Sequence, residues 1–297
     1  MWKYVLFVVA LHTLGRLPLR PLYRFCACVG DLVYWLFPRL RRNVWDNMRH
    51  VLGPQASRGE VRRAARRVFR NVAKYYADLV HMPRLDLNDL YHRRMNIRGL
   101  EENLRPALAQ GRGVIIMSAH MGSPELAMQA LLMAGIQGMA LTEPLRPARL
   151  SRLVDGLRSS QGLTFLPVGV TGVKAAMRTL RSGGVVALMG DRDIEGPKAL
   201  LPLCGYETLV PTGPMELALR TGATVIPAFC YRRGWEGLEV VLEEPLELVR
   251  TGNFQEDVLV NTRRFLERFE RYLRQEPSQW LVLERVWDAA MKRERRD

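Results

Sequence analysis

From residue 96 onward the chain alternates short apolar runs with helical stretches, and this alternation constrains the fold more than any other feature. Alternation of this kind is typical of a mostly parallel sheet covered by helices on both faces, so we predict an α/β core. The predicted strands are 113–118, 138–143, 163–169, 184–191, 223–231 and 238–248. The predicted helices are 124–135, 147–162, 172–183, 212–222, 254–275 and 278–292.

The residues before this core read as helical and basic. Ser57 and Glu60 form the pattern of a capping box, and the apolar residues that follow recur every three or four positions. No linker or internal repeat separates this part from the core. We therefore predict one domain over 26–297, helical over 26–95 and α/β over 96–297, preceded by an interfacial membrane-anchoring helix over 1–25.

The positive charge is concentrated in the first third of the chain. Residues 1–100 hold 19 Lys and Arg against 6 Asp and Glu, whereas the rest hold 25 against 24. A one-sided excess indicates an anionic partner, either nucleic acid or acidic lipid. The arginines lie on an amphipathic helix without a nucleic-acid motif, so we expect a phospholipid surface or a plain solvated face, and no nucleic acid.

The first 25 residues favour contact with a membrane surface. The apolar run from Tyr4 to Leu11 is about half of what spans a bilayer, and Arg16, Arg20 and Arg24 follow it. This order is typical of an interfacial helix, although an ordinary buried helix would have a similar sequence pattern. The four cysteines form no metal-binding or disulfide spacing, which indicates buried thiols in a reducing, cytosol-facing protein.

The stretch SAHMGSPELA, residues 118–127, holds the candidate catalytic residues. His120 follows a predicted strand, Gly122 permits a tight turn, and Ser123 and Pro124 are typical of a helix start. Ligands of open α/β sheets bind at such strand ends. We predict that Glu125 folds back onto the His120 ring, so that the other ring nitrogen can deprotonate a hydroxyl. The alternative is a histidine whose ring is hydrogen-bonded to backbone.

The spacing of this histidine and acid is not specific by itself. His81 and Asp86 repeat it, but they follow a long basic helix and have Pro83 between them. We predict that His81 lies at a helix C-terminus, where the helix dipole favours a cation. Local context, and not spacing, distinguishes His120.

The motif resembles the H-x4-[DE] motif of the glycerolipid acyltransferases, and in its His-x-Gly-x-x-Glu form the branch that acylates lipid A precursors or phosphatidylinositol mannosides. Further blocks similar to that family follow in order over about 20–290. They contain Glu143 and Arg158; Asp191, Arg192 and Asp193; Gly213, Pro214 and Pro227; and Pro277, Gln279 and Trp280. Two departures are Ala119, where Asn is frequent, and the residues around Cys204 and Tyr206, which leave the substrate preference open.

The resemblance implies transfer of a fatty acyl group from a thioester to a hydroxyl of a glycolipid or lysophospholipid. It implies that His120 is the general base and that Glu125 orients it. Glu143 and Arg158 would contact the acceptor or form buried ion pairs. Asp191, Arg192 and Asp193 would belong to the substrate site, with Arg192 held in a local network by the two aspartates; the alternative is that Arg192 binds phosphate. Gly213 and Pro214 would shape the pocket wall, although a helix start also explains them.

The resemblance also implies the partners. Acyl-CoA or acyl carrier protein would donate the acyl group, with no further cofactor and no metal. The enzyme would lie on an anionic membrane, at the cytoplasmic face of the inner membrane. A thioester hydrolase that uses the same His/Glu pair on water is the alternative, and the sequence identifies no donors for the oxyanion in either case.

Overall fold

The computed structural model describes residues 2–192 and 196–287, with side chains from Phe7 onward. Its α-helices are α1 (Trp2–Thr13), α2 (Leu19–Leu36), α3 (Pro38–Leu52), α4 (Arg58–His81), α5 (Leu87–Asp89), α6 (Arg105–Ala109), α7 (Pro124–Met133), α8 (Ala148–Ser159), α9 (Val170–Arg181), α10 (Gly213–Thr221) and α11 (Phe254–Gln275). Its strands are β1 (Met95–Arg98), β2 (Val114–Ser118), β3 (Gly138–Thr142), β4 (Thr164–Pro167), β5 (Val185–Met189), β6 (Lys198–Leu203), β7 (Tyr206–Pro211), β8 (Thr224–Arg233) and β9 (Gly237–Leu242). Single turns of 3₁₀ or π helix lie at Leu14–Arg16, Met82–Arg84, Leu90–Arg94, Leu100–Leu104 and Pro277–Gln279.

A seven-stranded sheet forms the centre, in the order β1-β9-β8-β2-β5-β3-β4. All its neighbouring strands are parallel except β8 and β9, which are antiparallel. This arrangement confirms the predicted α/β fold. Because β2 pairs with both β5 and β8, its carboxyl end lies in the middle of the sheet, where the predicted site begins.

Helices cover both faces of the sheet. Val114 and Ile116 point into a core shared with α7, whereas Ile115 and Met117 point into the core that contains α9, α10 and α11. Every residue of β2 is therefore buried, which explains why it reads as a continuous apolar run instead of an alternating one.

The N-terminal helices pack against this core as predicted for a helical extension. α2 crosses α4 closely at Gly30, where a Cβ atom would lie 2.6 Å from the Phe69 carbonyl oxygen. The capping box of Ser57 and Glu60 is confirmed, and α4 ends at His81 as predicted. The described residues 2–25 form α1, a 3₁₀ turn and the start of α2 instead of the predicted single helix. None of the described helices combines the length and apolarity that crossing a bilayer requires.

Several local features differ from the predictions. β1 and the hairpin of β6 and β7 were not predicted. In the structure, the two turn residues of this hairpin, Cys204 and Gly205, both have positive φ, 57° and 86°, which is typical of a two-residue type I′ turn. The predicted helix over 278–292 is wrong for its described part, which has only one 3₁₀ turn. The expectation of buried thiols holds for Cys26, Cys204 and Cys230 but not for Cys28, which is exposed.

Candidate active site

His120 lies in the tight turn between β2 and α7. Gly122 has a φ of 64°, and a Cβ atom there would lie 2.5 Å from the Cys230 carbonyl oxygen of β8. Only glycine fits this position, because both the conformation and the close approach exclude a side chain. The turn therefore lies directly against the middle of the sheet, with the His120 side chain at the sheet's carboxyl edge.

The C-terminal segment holds the same turn from its other side. The backbone N–H of Leu281 donates to the carbonyl oxygen of His120 at 2.8 Å, and the N–H of Gly122 donates to that of Gln279 at 3.0 Å. Between these two hydrogen bonds, Met121 and Trp280 lie opposite each other in an isolated antiparallel β-bridge. A segment about 160 positions later in the sequence thus fixes the backbone on both sides of Met121.

The His120 ring is held by Asp191, which follows β5. Nδ1 of the ring lies 2.8 Å from Oδ1 of Asp191, and the indole N–H of Trp280 donates to Oδ2 at 2.7 Å. Burial alone would raise the pKa of the wholly buried Asp191, but the His120 ring and the Trp280 N–H hold this pKa below its ordinary value. Asp191 is therefore a carboxylate at neutral pH.

This contact determines which ring nitrogen of His120 can act as a base. A carboxylate only accepts hydrogen bonds, so the neutral ring carries its proton on Nδ1 and leaves Nε2 unprotonated. Nε2 has no hydrogen-bond partner among the described residues. The side chain is 29% exposed and lines a cavity, so a substrate can reach this nitrogen.

Glu125 does not contact the His120 ring, and the predicted pairing of the two is wrong. Its Oε1 accepts hydrogen bonds from the Tyr75 hydroxyl at 2.5 Å and from Arg158 at 2.8 Å. Its Oε2 has no partner among the described residues. Glu125 lies in the first turn of α7 and is directed toward α4 and α8, whereas Asp191 reaches the ring from the neighbouring strand end.

Arg158 forms a buried ion pair, which is one of the two interpretations predicted for it. It bonds to Glu125, to the Tyr75 hydroxyl at 3.0 Å and to Asp155 at 3.4 Å. Burial works against its charge, yet Tyr75 and the two carboxylates raise the pKa of Arg158 above its ordinary value. Burial also raises the pKa of Tyr75. The cluster joins α4, α7 and α8 beside the histidine.

Glu143 and Arg192 form a second ion pair, at 2.5 Å, in the wall of the same cavity. Arg192 was predicted to be held by the aspartates on either side of it, but Glu143 is a partner from outside that motif. Asp193 lies outside the described residues. Gly213 and Pro214 start α10 and also line the cavity.

The cavity beside His120 has a volume of about 750 Å³. Its polar lining includes His120, Glu125 and Arg158, together with the Glu143–Arg192 pair. Most of the other lining side chains are apolar, and those from β3, β4, α8, α9 and α10 include Leu141, Leu150, Val154, Phe165, Val173 and Leu217. Such a lining suits a long apolar group whose reactive end meets a few polar side chains.

Two residues beside His120 have roles that sequence reasoning missed. Asp191 and Trp280 were both recognised in family blocks, but neither was assigned to the histidine. Knowledge that β2 pairs with β5 would have identified Asp191, because the carboxyl ends of neighbouring parallel strands lie side by side. Among the described residues, no group of three or more His, Cys, Asp and Glu side chains is placed to hold a metal ion.

Comparison with known proteins gives a consistent result over nearly the whole chain. The family model described as bacterial lipid A biosynthesis acyltransferase matches residues 1–289. A phosphatidylinositol mannoside acyltransferase of Mycobacterium tuberculosis is 27% identical over 228 residues, which cover 75% of this chain and 70% of that protein. A protein of the same name from Mycolicibacterium smegmatis is 27% identical over 231 residues, 75% of this chain and 72% of that protein.

Proposed function

Because the chain belongs to the bacterial lipid A biosynthesis acyltransferase family, and is therefore an acyltransferase, we propose that it transfers a fatty acyl group from a thioester to a hydroxyl of a glycolipid. The family description and the names of the relatives share this acceptor class, since lipid A and phosphatidylinositol mannosides are both glycolipids. The observation that carries the proposal is the His120–Asp191 hydrogen bond beside an apolar cavity.

In the proposed reaction, Nε2 of His120 takes the proton of the acceptor hydroxyl as its oxygen attacks the thioester carbonyl. Asp191 stabilises the imidazolium that forms, and it keeps the ring in the required tautomer. When the tetrahedral intermediate collapses, the carbon–sulfur bond breaks and the imidazolium returns the proton to the thiolate. The products are an ester and a free thiol, and His120 regains its starting state.

We assign the apolar part of the cavity to the acyl chain. Burial of a chain there would gain roughly 0.8 kcal/mol per CH₂ group, which favours a long chain over a short one. Glu143 and Arg192 supply charges of both signs in the same cavity and would contact the polar part of the acceptor. Glu125 and Arg158 would stabilise the wall, because each already neutralises the other.

The acceptor and the acyl chain are amphiphiles, so we propose that the protein lies on an anionic membrane, at the cytoplasmic face of the inner membrane. α1 and an exposed apolar stripe on α2 would contact the lipid. This α2 stripe consists of Phe25, Leu32, Trp35 and Leu36, which are 49%, 56%, 52% and 63% exposed. Their spacing places them on one side of the helix.

Basic residues accompany the α2 stripe. The guanidinium groups of Arg41 and Arg62 lie 5.8 and 5.5 Å from the Trp35 ring centre. Apolar side chains next to arginines are the combination that binds an anionic lipid surface, because the side chains enter the interface while the charges meet the headgroups.

Transfer can be tested with purified protein, palmitoyl-CoA or palmitoyl-acyl carrier protein, and a panel of acceptors that includes lipid A precursors, phosphatidylinositol mannosides and lysophospholipids. We expect an acylated glycolipid, and roughly 10²–10⁴-fold slower transfer by His120→Ala. Release of free fatty acid at the full rate without any acceptor would instead identify a thioester hydrolase. Transfer only to lysophospholipids would overturn the proposed acceptor class.

A further inference from the structure

The turn that carries His120 is hydrogen-bonded to the N-terminal helices through a buried carboxylate that takes no part in the proposed reaction. Asp78 of α4 is only 2% exposed. Its Oδ2 accepts a hydrogen bond from the Ser123 hydroxyl at 2.6 Å, and the Arg232 guanidinium donates to the same oxygen. Its Oδ1 accepts from the Tyr23 hydroxyl of α2. Asp78 therefore joins α2, α4 and β8 to the residue that ends the His120 turn.

The Ser123 hydroxyl has no other function in the local structure. Ser123 occupies the N-cap position of α7, as predicted, but its side chain makes no capping hydrogen bond. It is completely buried and its hydroxyl donates to Asp78 instead. Loss of this hydrogen bond would free the end of the turn without removing a helix cap.

Arg232 extends the same support to the opposite side of the turn. Its backbone N–H donates to Oε1 of Gln279 at 3.3 Å, and its carbonyl oxygen accepts from Nε2 of Gln279 at 3.1 Å. The carbonyl oxygen of Gln279 in turn accepts from the N–H of Gly122. Asp78 thus contacts the turn at Ser123 directly, while the backbone of its ion-pair partner Arg232 holds Gln279, which contacts the turn at Gly122.

We propose that Asp78 is a positioning residue for acyl transfer: through Ser123 it holds the His120 turn so that the imidazole stays on Asp191 and Nε2 faces the cavity. The inference rests on the proposed function, because it assigns the cluster to the same histidine. Asp78 touches no reacting atom, so its effect should appear in the rate of the chemical step and not in substrate binding.

The primary test is Ser123→Ala, which removes the link and leaves the Asp78–Arg232 pair intact. Thr208→Val is the matched control, since Thr208 is also fully buried and donates its hydroxyl to a single acceptor, the Val286 carbonyl, away from the turn. We expect kcat of Ser123→Ala to fall about 10-fold with KM of both substrates nearly unchanged, because small misplacement of a catalytic group costs rate. Thr208→Val should keep the wild-type kcat.

Asp78 itself is tested in two ways. Asp78→Asn should lower kcat, and adding Ser123→Ala to it should cause no further loss if both act through one contact. Should Asp78→Asn fail to fold, the double variant Asp78→Leu, Arg232→Met removes both buried charges together, a replacement that proteins often tolerate. That variant should also lose about 10-fold in kcat.

A spectroscopic readout separates this inference from the proposed function. In protein with ¹⁵N-labelled histidine, the Nδ1 proton of His120 can be identified by its absence in His120→Gln. We expect Ser123→Ala, but not Thr208→Val, to shift or broaden this signal. Unchanged kcat and an unchanged signal in Ser123→Ala would overturn the role of Asp78. A wild-type protein that transfers no acyl group would overturn the proposed function, while the spectrum would still decide whether Asp78 positions the ring.

Discussion

The indole N–H of Trp280 donates to Asp191 at 2.7 Å, on the carboxylate oxygen opposite the one that holds His120. Two successive hydrogen bonds therefore connect a buried tryptophan, through Asp191, to a histidine at the cavity surface. Trp280 is fully buried, and its ring also packs against Phe269 and Trp287. A residue near the C-terminus thus orients the carboxylate that orients the base.

Trp280→Phe should weaken this arrangement without emptying the core. It would leave one oxygen of a buried carboxylate unsatisfied, at a cost of about 1–3 kcal/mol. Loss of a donor to the charged form should also raise the pKa of Asp191. We expect lower kcat and an acid limb of the pH–rate profile that moves to higher pH. Identical profiles for variant and wild type would show that the indole N–H has no role.

Asp191→Asn and Glu125→Gln distinguish the observed partner of His120 from the one predicted by local sequence. Each replacement keeps the shape and removes one charge. Asp191→Asn should lower kcat by roughly 10²–10⁴-fold, because an amide no longer holds the imidazole tautomer or its charge. Glu125→Gln should act mainly on thermal stability, since it leaves Arg158 without its closest carboxylate. A larger loss of kcat in Glu125→Gln would contradict this assignment.

Gly122→Ala should destabilise the protein more than Gly135→Ala. Both glycines have positive φ, 64° and 73°, so both variants carry the strain of that conformation. Only at Gly122 would the new Cβ atom approach another backbone, 2.5 Å from the Cys230 carbonyl oxygen, whereas nothing lies within 4 Å at Gly135. We expect the difference in unfolding free energy to exceed about 1 kcal/mol in chemical denaturation. Equal costs would mean that the turn can move away from β8.

Asp31→Asn should reveal a pH-dependent contribution to stability. Asp31 of α2 bonds to Arg66 and Arg70 of α4 at 2.6 to 2.7 Å. Partial burial alone would raise the pKa of Asp31, but the two guanidinium groups lower it from 3.8 to about 2. A lowered pKa in the folded state stabilises the protein above pH 4, and this stabilisation decreases below pH 4 and is lost as the pH falls through about 2.

The expected loss in Asp31→Asn is about 1–2 kcal/mol at neutral pH, since both arginines are partly exposed, and much smaller at pH 2, where the folded-state carboxyl is about half protonated. Asp89→Asn is the control, because the Asp89 side chain is 40% exposed and both of its ion pairs are 3.9 Å long. Unfolding free energies from urea titrations between pH 2 and 7 would test this. A loss that stays constant across that range would show that the carboxylate charge of Asp31 is not responsible.

Leu32→Ser with Leu36→Ser should weaken binding to anionic vesicles by about 10-fold or more, because each exposed leucine loses its favourable transfer into the interface. Leu259→Ser is the control, since Leu259 is 37% exposed on α11, away from the α2 stripe. A deletion that tests α1 should end at residue 13, because Leu22 and Tyr23 are completely buried. Vesicle co-sedimentation that does not change in the double variant would exclude the α2 stripe as a lipid contact.

The sequence by itself determined the fold class, most helices and strands, the His120 turn and the family. The family follows from motif blocks spread over about 20–290. The other features depend on neighbours within a few residues, as the apolar periodicity, the Gly122 turn and the capping box of Ser57 and Glu60 do. They are encoded locally, so they can be read locally. The hairpin of β6 and β7 was not predicted because its two strands show no clear alternation of apolar and polar residues.

Only the tertiary structure decided which residues meet at the site. Glu125 is five positions from His120 and does not touch its ring, whereas Asp191 is 71 positions away and holds it. That contact depends on β2 and β5 being neighbours, which is a matter of strand order. Trp280 reaches Asp191 because its segment pairs with the same turn. The strand order and the position of the Trp280 segment depend on packing between distant parts of the chain. Neither can be predicted from local periodicity.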